Sequence, residues 1–275
     1  RVKITLSVDD TYDAKSGSQM EGTAVINDHH DGVVKTLYNP IVLYCKIDWF
    51  GEEFTFPLAL QLWQQQKSRR KTRRTRNKKR KKTNRNNNTK KNHKKRWQYA
   101  YDMLRDLLDF CKKVKLSLDG FSLAADNAYC VDEIFDLIKD TGLIFVVRPK
   151  NTNSFEIKGK VDNLRFHGRA VKSHQWKNSR RYLFRYVKHK GNHKKYGLCT
   201  ILFYEEIING RARIKYLIAN THDIRADSLF AVFKRRWSIE IFFRNIKQVL
   251  GFSNYSGRKL KAVKAHYLLR MITAI

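Results

Sequence analysis

The chain has 275 residues, with 57 Lys and Arg against 25 Asp and Glu and a formal net charge of +32 at pH 7. At 42% hydrophobic and 12% aromatic it is too apolar to be disordered throughout, and it is long enough for one large domain or two ordinary ones. A charge of this size calls for a polyanionic partner, nucleic acid before an acidic membrane surface, and no apolar run approaches the ~20 residues of a spanning helix.

Val2, Ile4, Leu6 and Val8 alternate with polar residues and predict a first strand that runs into Asp9, Asp10 and Thr11. An opening on Arg1 and a strand leaves no signal peptide to read, and suggests a natural N-terminus further upstream. Lys15-Ser16-Gly17-Ser18 carries loop chemistry. The cluster from Asn27 to Gly32, with His29 and His30, reads as a turn and not as a metal site, because adjacent loop histidines seldom face one ion. Ile41–Ile47 and Phe54–Leu62, joined by the turn at Phe50-Gly51-Glu52-Glu53, predict an antiparallel hairpin.

Residues 67–96 hold 18 Lys or Arg and no acid. Nearly free of apolar side chains, this tract cannot bury itself, and it is expected to be disordered, as a solvated insertion or a non-specific phosphate-binding arm. Trp97, Ala100, Tyr101, Leu104, Leu107, Leu108, Cys111 and Val114 then recur at helical spacing. A short strand from Phe121 to Ala125 ends on Asp126. A helix from Val131 to Lys139 follows, and then a strand from Leu143 to Val147 that leads into Arg148. Residues 151–220 read as several strands with turns at Gly159, Gly168, Gly191 and Asn209-Gly210, and helices close the chain from about Ala226. Between Lys172 and Tyr196, nine Lys or Arg mingle with Trp176, Tyr182, Phe184 and Tyr186, which suits either a strand with an aromatic core face or a surface that stacks on bases. Cys45, Cys111, Cys130 and Cys199 lie far apart in apolar contexts, as reduced thiols of an intracellular protein do, without zinc or disulfide spacing.

Acids are scarce, so their places are informative: Asp9 and Asp10 at one strand end, Asp126 at another, Glu240 on a late helix. At about 100° per residue, Phe233, Arg236, Glu240 and Lys247 share one stripe, while Ile239, Phe242, Phe243, Ile246, Val249 and Leu250 form the adjoining apolar face. Spacing alone allows an ordinary Arg236–Glu240 pair. Three such carboxylates can also converge on Mg²⁺ or Mn²⁺, and two such ions about 3.5–4 Å apart perform phosphodiester chemistry while Arg and Lys hold the phosphates.

The order of elements and acids resembles the RNase H-like catalytic core of DDE transposases. The late helix resembles the Tyr-x2-Arg-x3-Glu-x6-Lys signature of bacterial and archaeal insertion-sequence transposases, with Phe233 where that family has Tyr. Leu123-Ala124-Ala125-Asp126-Asn127 resembles the strand of its second Asp, and Phe145-Val146-Val147-Arg148 the strand after it. The resemblance implies an α/β fold: an RNase H-like mixed sheet with flanking helices and a β-rich insertion, about 151–220, before the last catalytic helix. Residues 1–275 then form one catalytic domain that also contains the basic tract.

By the same resemblance, two Mg²⁺ or Mn²⁺ ions are held by Asp9, Asp126 and Glu240. Asp10 is the alternative first carboxylate, since relatives place Thr either one or two positions after it. Strict alternation puts Asp10 on the Val2/Ile4/Leu6/Val8 face, which does not decide between them, and Asp9 is preferred. Arg148, Phe233, Arg236, Arg244 and Lys247 are expected at DNA. The implied reaction is hydrolysis at transposon ends followed by strand transfer into target DNA. It would be carried out on double-stranded DNA by a synaptic homodimer, in the cytoplasm and associated with the nucleoid. The family's N-terminal end-recognition domain has no room here. The rival expectations are an RNase H-like nuclease that cuts without joining, a domesticated inactive relative, and a non-catalytic basic DNA-binding protein.

Overall fold

The computed structural model describes residues 2–15, 20–28, 32–64, 94–222, 224–255 and 257–274. The predicted loop at 15–18, the His29-His30 pair and the basic tract up to residue 93 lie outside them, apart from Lys15.

Alternation builds β1, Lys3–Asp10, as a central strand buried on both faces. It runs antiparallel to the long β4, Val33–Trp49, which pairs in turn with β5, Glu52–Trp63, as the predicted hairpin. The short β2, Asp13–Ala14, and β3, Ala24–Asp28, pair with the first half of β4. On its other side β1 runs parallel to β6, Ser122–Ala125, and β6 parallel to β7, Ile144–Val147. The resulting order β5-β4-β1-β6-β7 is the core of an RNase H-like mixed sheet.

Each face of this core buries a different set of residues. Leu6, Val8, Leu43, Leu123 and Phe145 pack under α1, Arg96–Lys113, and α2, Asp132–Ile138. Helix α1 presents Ala100, Met103, Leu104 and Cys111 to them at the predicted spacing. The opposite face offers Val42, Tyr44, Ala124 and Val146 to α4, Ala226–Arg235, α5, Trp237–Gln248, and α6, Leu260–Ile272. Burial of each such large side chain contributes about 1.5–3 kcal/mol. None of the helices among the described residues is long and apolar enough to cross a membrane.

Beyond β7 the sheet continues through the β-rich region. β13, Arg211–Ala219, pairs antiparallel with β7 and then with β12, Gly197–Ile208. Next come β11, Arg185–His193, and the hairpin of β8, Ser154–Ile157, with β9, Lys160–Asn163. β10, Lys177–Asn178, lines the edge of β11, and α3, Leu164–Arg169, covers this sheet. Asn209 and Gly210, at φ 51° and 71°, make the predicted tight hairpin turn.

Two expected turns are absent. Gly168 lies inside α3 and Gly191 inside β11, both where a neighbour comes too close for a side chain: Tyr216 at Gly168, and Ile201 with the Glu156 carbonyl at Gly191. The late helix is also not continuous. Arg236 joins α4 to α5, because Ser238 donates its hydroxyl to the Arg235 carbonyl and the joint closes with i→i−3 bonds from Arg236 N to Phe233 O and from Ile239 N to Arg236 O. Phe233 therefore sits on α4, and Glu240, Arg244 and Lys247 on α5. Val249, assigned to the apolar face, is exposed, because α5 has ended by Gln248.

Candidate active site

The last registered pair between the parallel strands β1 and β6 is Val8 with Ala125. Asp9, still on β1, and Asp126, the first residue after β6, follow directly. Both extend the face that carries Ser7 and Ala124, towards α4 and α5. Asp10 turns the other way, towards α1, and both of its oxygens are engaged. Asn39 Nδ2 donates to Oδ2 at 2.7 Å, Arg96 to the same oxygen at 3.1 Å, and the Tyr129 hydroxyl to Oδ1 at 3.0 Å. Tyr129 arrives there on the short 3₁₀ turn Asn127–Tyr129 that begins at Asp126.

Arg236 closes the site from the α4–α5 joint. Its Nη1 donates to Asp9 Oδ2 and its Nη2 to Glu240 Oε1, both at 2.6 Å. Its buried Nε has no partner among the described residues. One guanidinium thus stands between two carboxylates from opposite ends of the chain. The predicted Arg236–Glu240 pair exists, with Asp9 as an unpredicted third member. Burial pushes the Asp9 carboxyl up to about 7. Arg236 pulls it down, Asp10 and Asp126 push it further up, and the upward causes win.

The remaining predicted residues surround this centre. The Phe233 ring has two guanidinium groups over it, that of Arg148 at 5.9 Å and that of Arg236 at 5.5 Å. Lys247 Nζ donates to Thr11 Oγ1 at 2.6 Å and to the Tyr12 carbonyl at 2.8 Å, and so pins the segment directly after Asp10. Burial lowers the pKa of this ammonium, against the pull of Asp13. Arg244 is exposed on α5, one turn beyond Glu240. Asn39, Tyr129 and Arg96 escaped the sequence reading. Their one common signal is a polar atom inside an apolar or basic run, and only folding supplies their partner.

Oxygen donors of this kind suit a hard divalent cation, and a positively charged side chain already stands between two of them. With Arg236 in that position, no three of the His, Cys, Asp and Glu residues described are gathered closely enough to hold an ion. The donors are of the right chemistry for such an ion, but in this arrangement the Arg236 guanidinium occupies the place between Asp9 and Glu240.

Residues 98–275 match the family profile of the transposase DDE domain. This stretch contains Asp126 and Glu240; Asp9 and Asp10 precede it. No curated protein sequence matches the chain. Among solved structures, the NurA nuclease from Sulfolobus solfataricus aligns over 85% of this chain and 73% of that one, at 6% identity and a TM-score of 0.32, too distant a likeness to support an argument. The profile spans more than half of the residues, including the strand of Asp126 and the helix of Glu240, and the chain therefore belongs to the DDE transposase family.

Proposed function

We propose that this protein cleaves double-stranded DNA at transposon ends and transfers the freed 3′ end to target DNA, with Asp9, Asp126 and Glu240 as its metal-holding carboxylates. The observation that carries this reading is the meeting of Asp9 and Glu240 on one guanidinium, with Asp126, the first residue after β6, near enough to Asp9 to raise its pKa. Mg²⁺ or Mn²⁺ bound there would supply activation of water and stabilisation of the leaving oxygen. Asp9 is preferred over Asp10 because it meets Glu240 through Arg236, whereas Asp10 faces α1 and takes its bonds from Asn39, Arg96 and Tyr129; both oxygens of each carboxylate are engaged, those of Asp9 by Arg236 and the Asp10 backbone N–H.

Arg236 and Lys247 reach DNA phosphate by exchanging their present bonds, to Asp9 and Glu240 and to the Thr11–Tyr12 segment. Arg148 and Phe233 flank the same approach, and Arg244 extends it along α5. A homodimer holding two DNA ends would carry out the joining step. Asp126→Asn and Glu240→Gln should each abolish Mg²⁺-dependent nicking of a plasmid while leaving its binding intact. Equal loss of binding and nicking would give these residues a structural role instead. Nicking with no strand-transfer product would favour a nuclease that cuts without joining.

A further inference from the structure

The contact between β7 and β13 is short. Only Ile218–Val147 and Ala219–Val146 are in register; Asn220 N continues the pairing to the Phe145 carbonyl on one side, and on the other β7 ends at Val147 while β13 runs on. The gap opens at the end of β7 from which Arg148 emerges. Since β6 and β7 are parallel, this is also the end of the sheet at which Asp126 sits. A cleft of about 1080 Å³ fills the gap, walled by residues 148–152, α3 and the first half of β13, and Asn127 lies on its rim.

Arg148, Lys150, Arg165, Arg169, Arg213 and Lys215 line it, and no acid does. Helical spacing puts Arg165 and Arg169 on one side of α3. Gly168 between them lets α3 lie tight against β13, since a Cβ there would come within 3.1 Å of the Tyr216 ring. Among the described residues, Lys215 is the one of these six with an ion-pair partner, Glu206 at 3.6 Å. Arg165, Arg169 and Arg213 are exposed.

Six cations around one open cleft exceed what a single small anion neutralises, and they suit an extended polyanion. Tyr216 is the only aromatic in the lining, so the chemistry is that of phosphate contacts and not of base reading. We propose that this cleft is a binding site for the sugar–phosphate backbone of a DNA strand, which it guides across Asn127 to Asp126. The guiding role rests on the reading of Asp126 as a catalytic carboxylate; the binding role does not.

The test is the salt dependence of duplex binding by the full chain. Each phosphate contact contributes about 0.9 to the slope of log K against log salt, so Arg165→Ala/Arg169→Ala/Arg213→Ala should lower the slope by about 2.7. The control removes three cations at the opposite end of the sheet: Lys112→Ala/Lys113→Ala on the last turn of α1, with Lys139→Ala just past α2. It carries the same change in net charge and should leave the slope nearly unaltered. An unchanged slope in the cleft variant, or equal losses in both triples, overturns the proposal. Arg213→Gln alone, at an exposed strand position, gives a second measure, with an expected loss of about 0.9. If Asp126→Asn still nicked, the catalytic reading would fall while a slope loss confined to the cleft variants would still establish the binding site.

Discussion

Replacing Arg236 with Gln in the metal-free protein removes the cation that Asp9 and Glu240 share. Each of its two bonds is charge-assisted and 2.6 Å long; such bonds contribute about 1.5–3 kcal/mol. The Asp9 side chain is 17% exposed and Glu240 30%, so solvent recovers more of the loss at Glu240. The expected cost is about 3 kcal/mol, at the low end for an ion pair broken on one side. In a chain of this size that corresponds to a fall in Tm of about 6–12 °C. The same substitution empties the space between the carboxylates for a divalent cation. Thermal unfolding in EDTA and again in Mg²⁺ should therefore show a larger metal-dependent rise in Tm for the variant than for the wild type, because only the wild-type ion has to displace a guanidinium. A loss below about 1 kcal/mol, or equal stabilisation of both proteins by Mg²⁺, would refute the idea that Arg236 stands where a metal belongs.

The Asp9 carboxyl lies above its ordinary value of 3.8, at about 7. The native state therefore binds the proton more tightly than the unfolded chain, and this stabilisation is complete below about 4 and lost as pH rises to about 7. Asp9→Asn should abolish that loss, so the stability of the variant relative to the wild type rises across this window, by on the order of 4 kcal/mol at most; urea titrations in EDTA from pH 4 to 8 measure it, and a flat difference contradicts it. Tyr129→Phe removes one bond to Asp10 and should cost about 1–2 kcal/mol in urea unfolding, against no change if Asp10 were satisfied by Asn39 and Arg96 alone. Gly191→Ala places a Cβ against Ile201 and 3.3 Å from the Glu156 carbonyl, and should cost about 1–3 kcal/mol, whereas Gly210→Ala, with nothing nearby but φ 71°, is strained only through its backbone.

The central strands, α1 and α2 were readable because their apolar periods are clean and end on Asp, Gly or Pro. The first half of β4 was not: Lys35, Thr36, Asn39 and Pro40 interrupt its apolar pattern, and its partners β2 and β3 are too short to show a period. Pro40 is tolerated although it pairs with Leu62 of β5, because its carbonyl accepts from Thr11 N, so that its missing N–H also faces this side, beyond the last β1–β4 pair at Asp10–Ile41. The joint at Arg236 was hidden because a side-chain bond from Ser238 creates it, while Phe233 to Lys247 keeps an uninterrupted helical pattern. Within the site, Asp9, Asp126 and Glu240 stood out as acids on element ends in a basic chain. What separates Asp9 from Asp10 in space was not legible: Asp9 meets Glu240 through Arg236, whereas Asp10 faces Asn39, Arg96 and Tyr129, and only folding brings these partners together. Cys45, Cys111 and Cys199 are buried, and burial pushes the Cys45 thiol up to about 11 and Cys199 up to about 12.

Anomalous diffraction from crystals soaked in Mn²⁺ tests the shared-carboxylate account most directly. The expected result is Mn²⁺ bound by oxygens of Asp9, Asp126 and Glu240, with the Arg236 guanidinium displaced from between them. Manganese bound only elsewhere, with Arg236 still bridging Asp9 and Glu240, would contradict it.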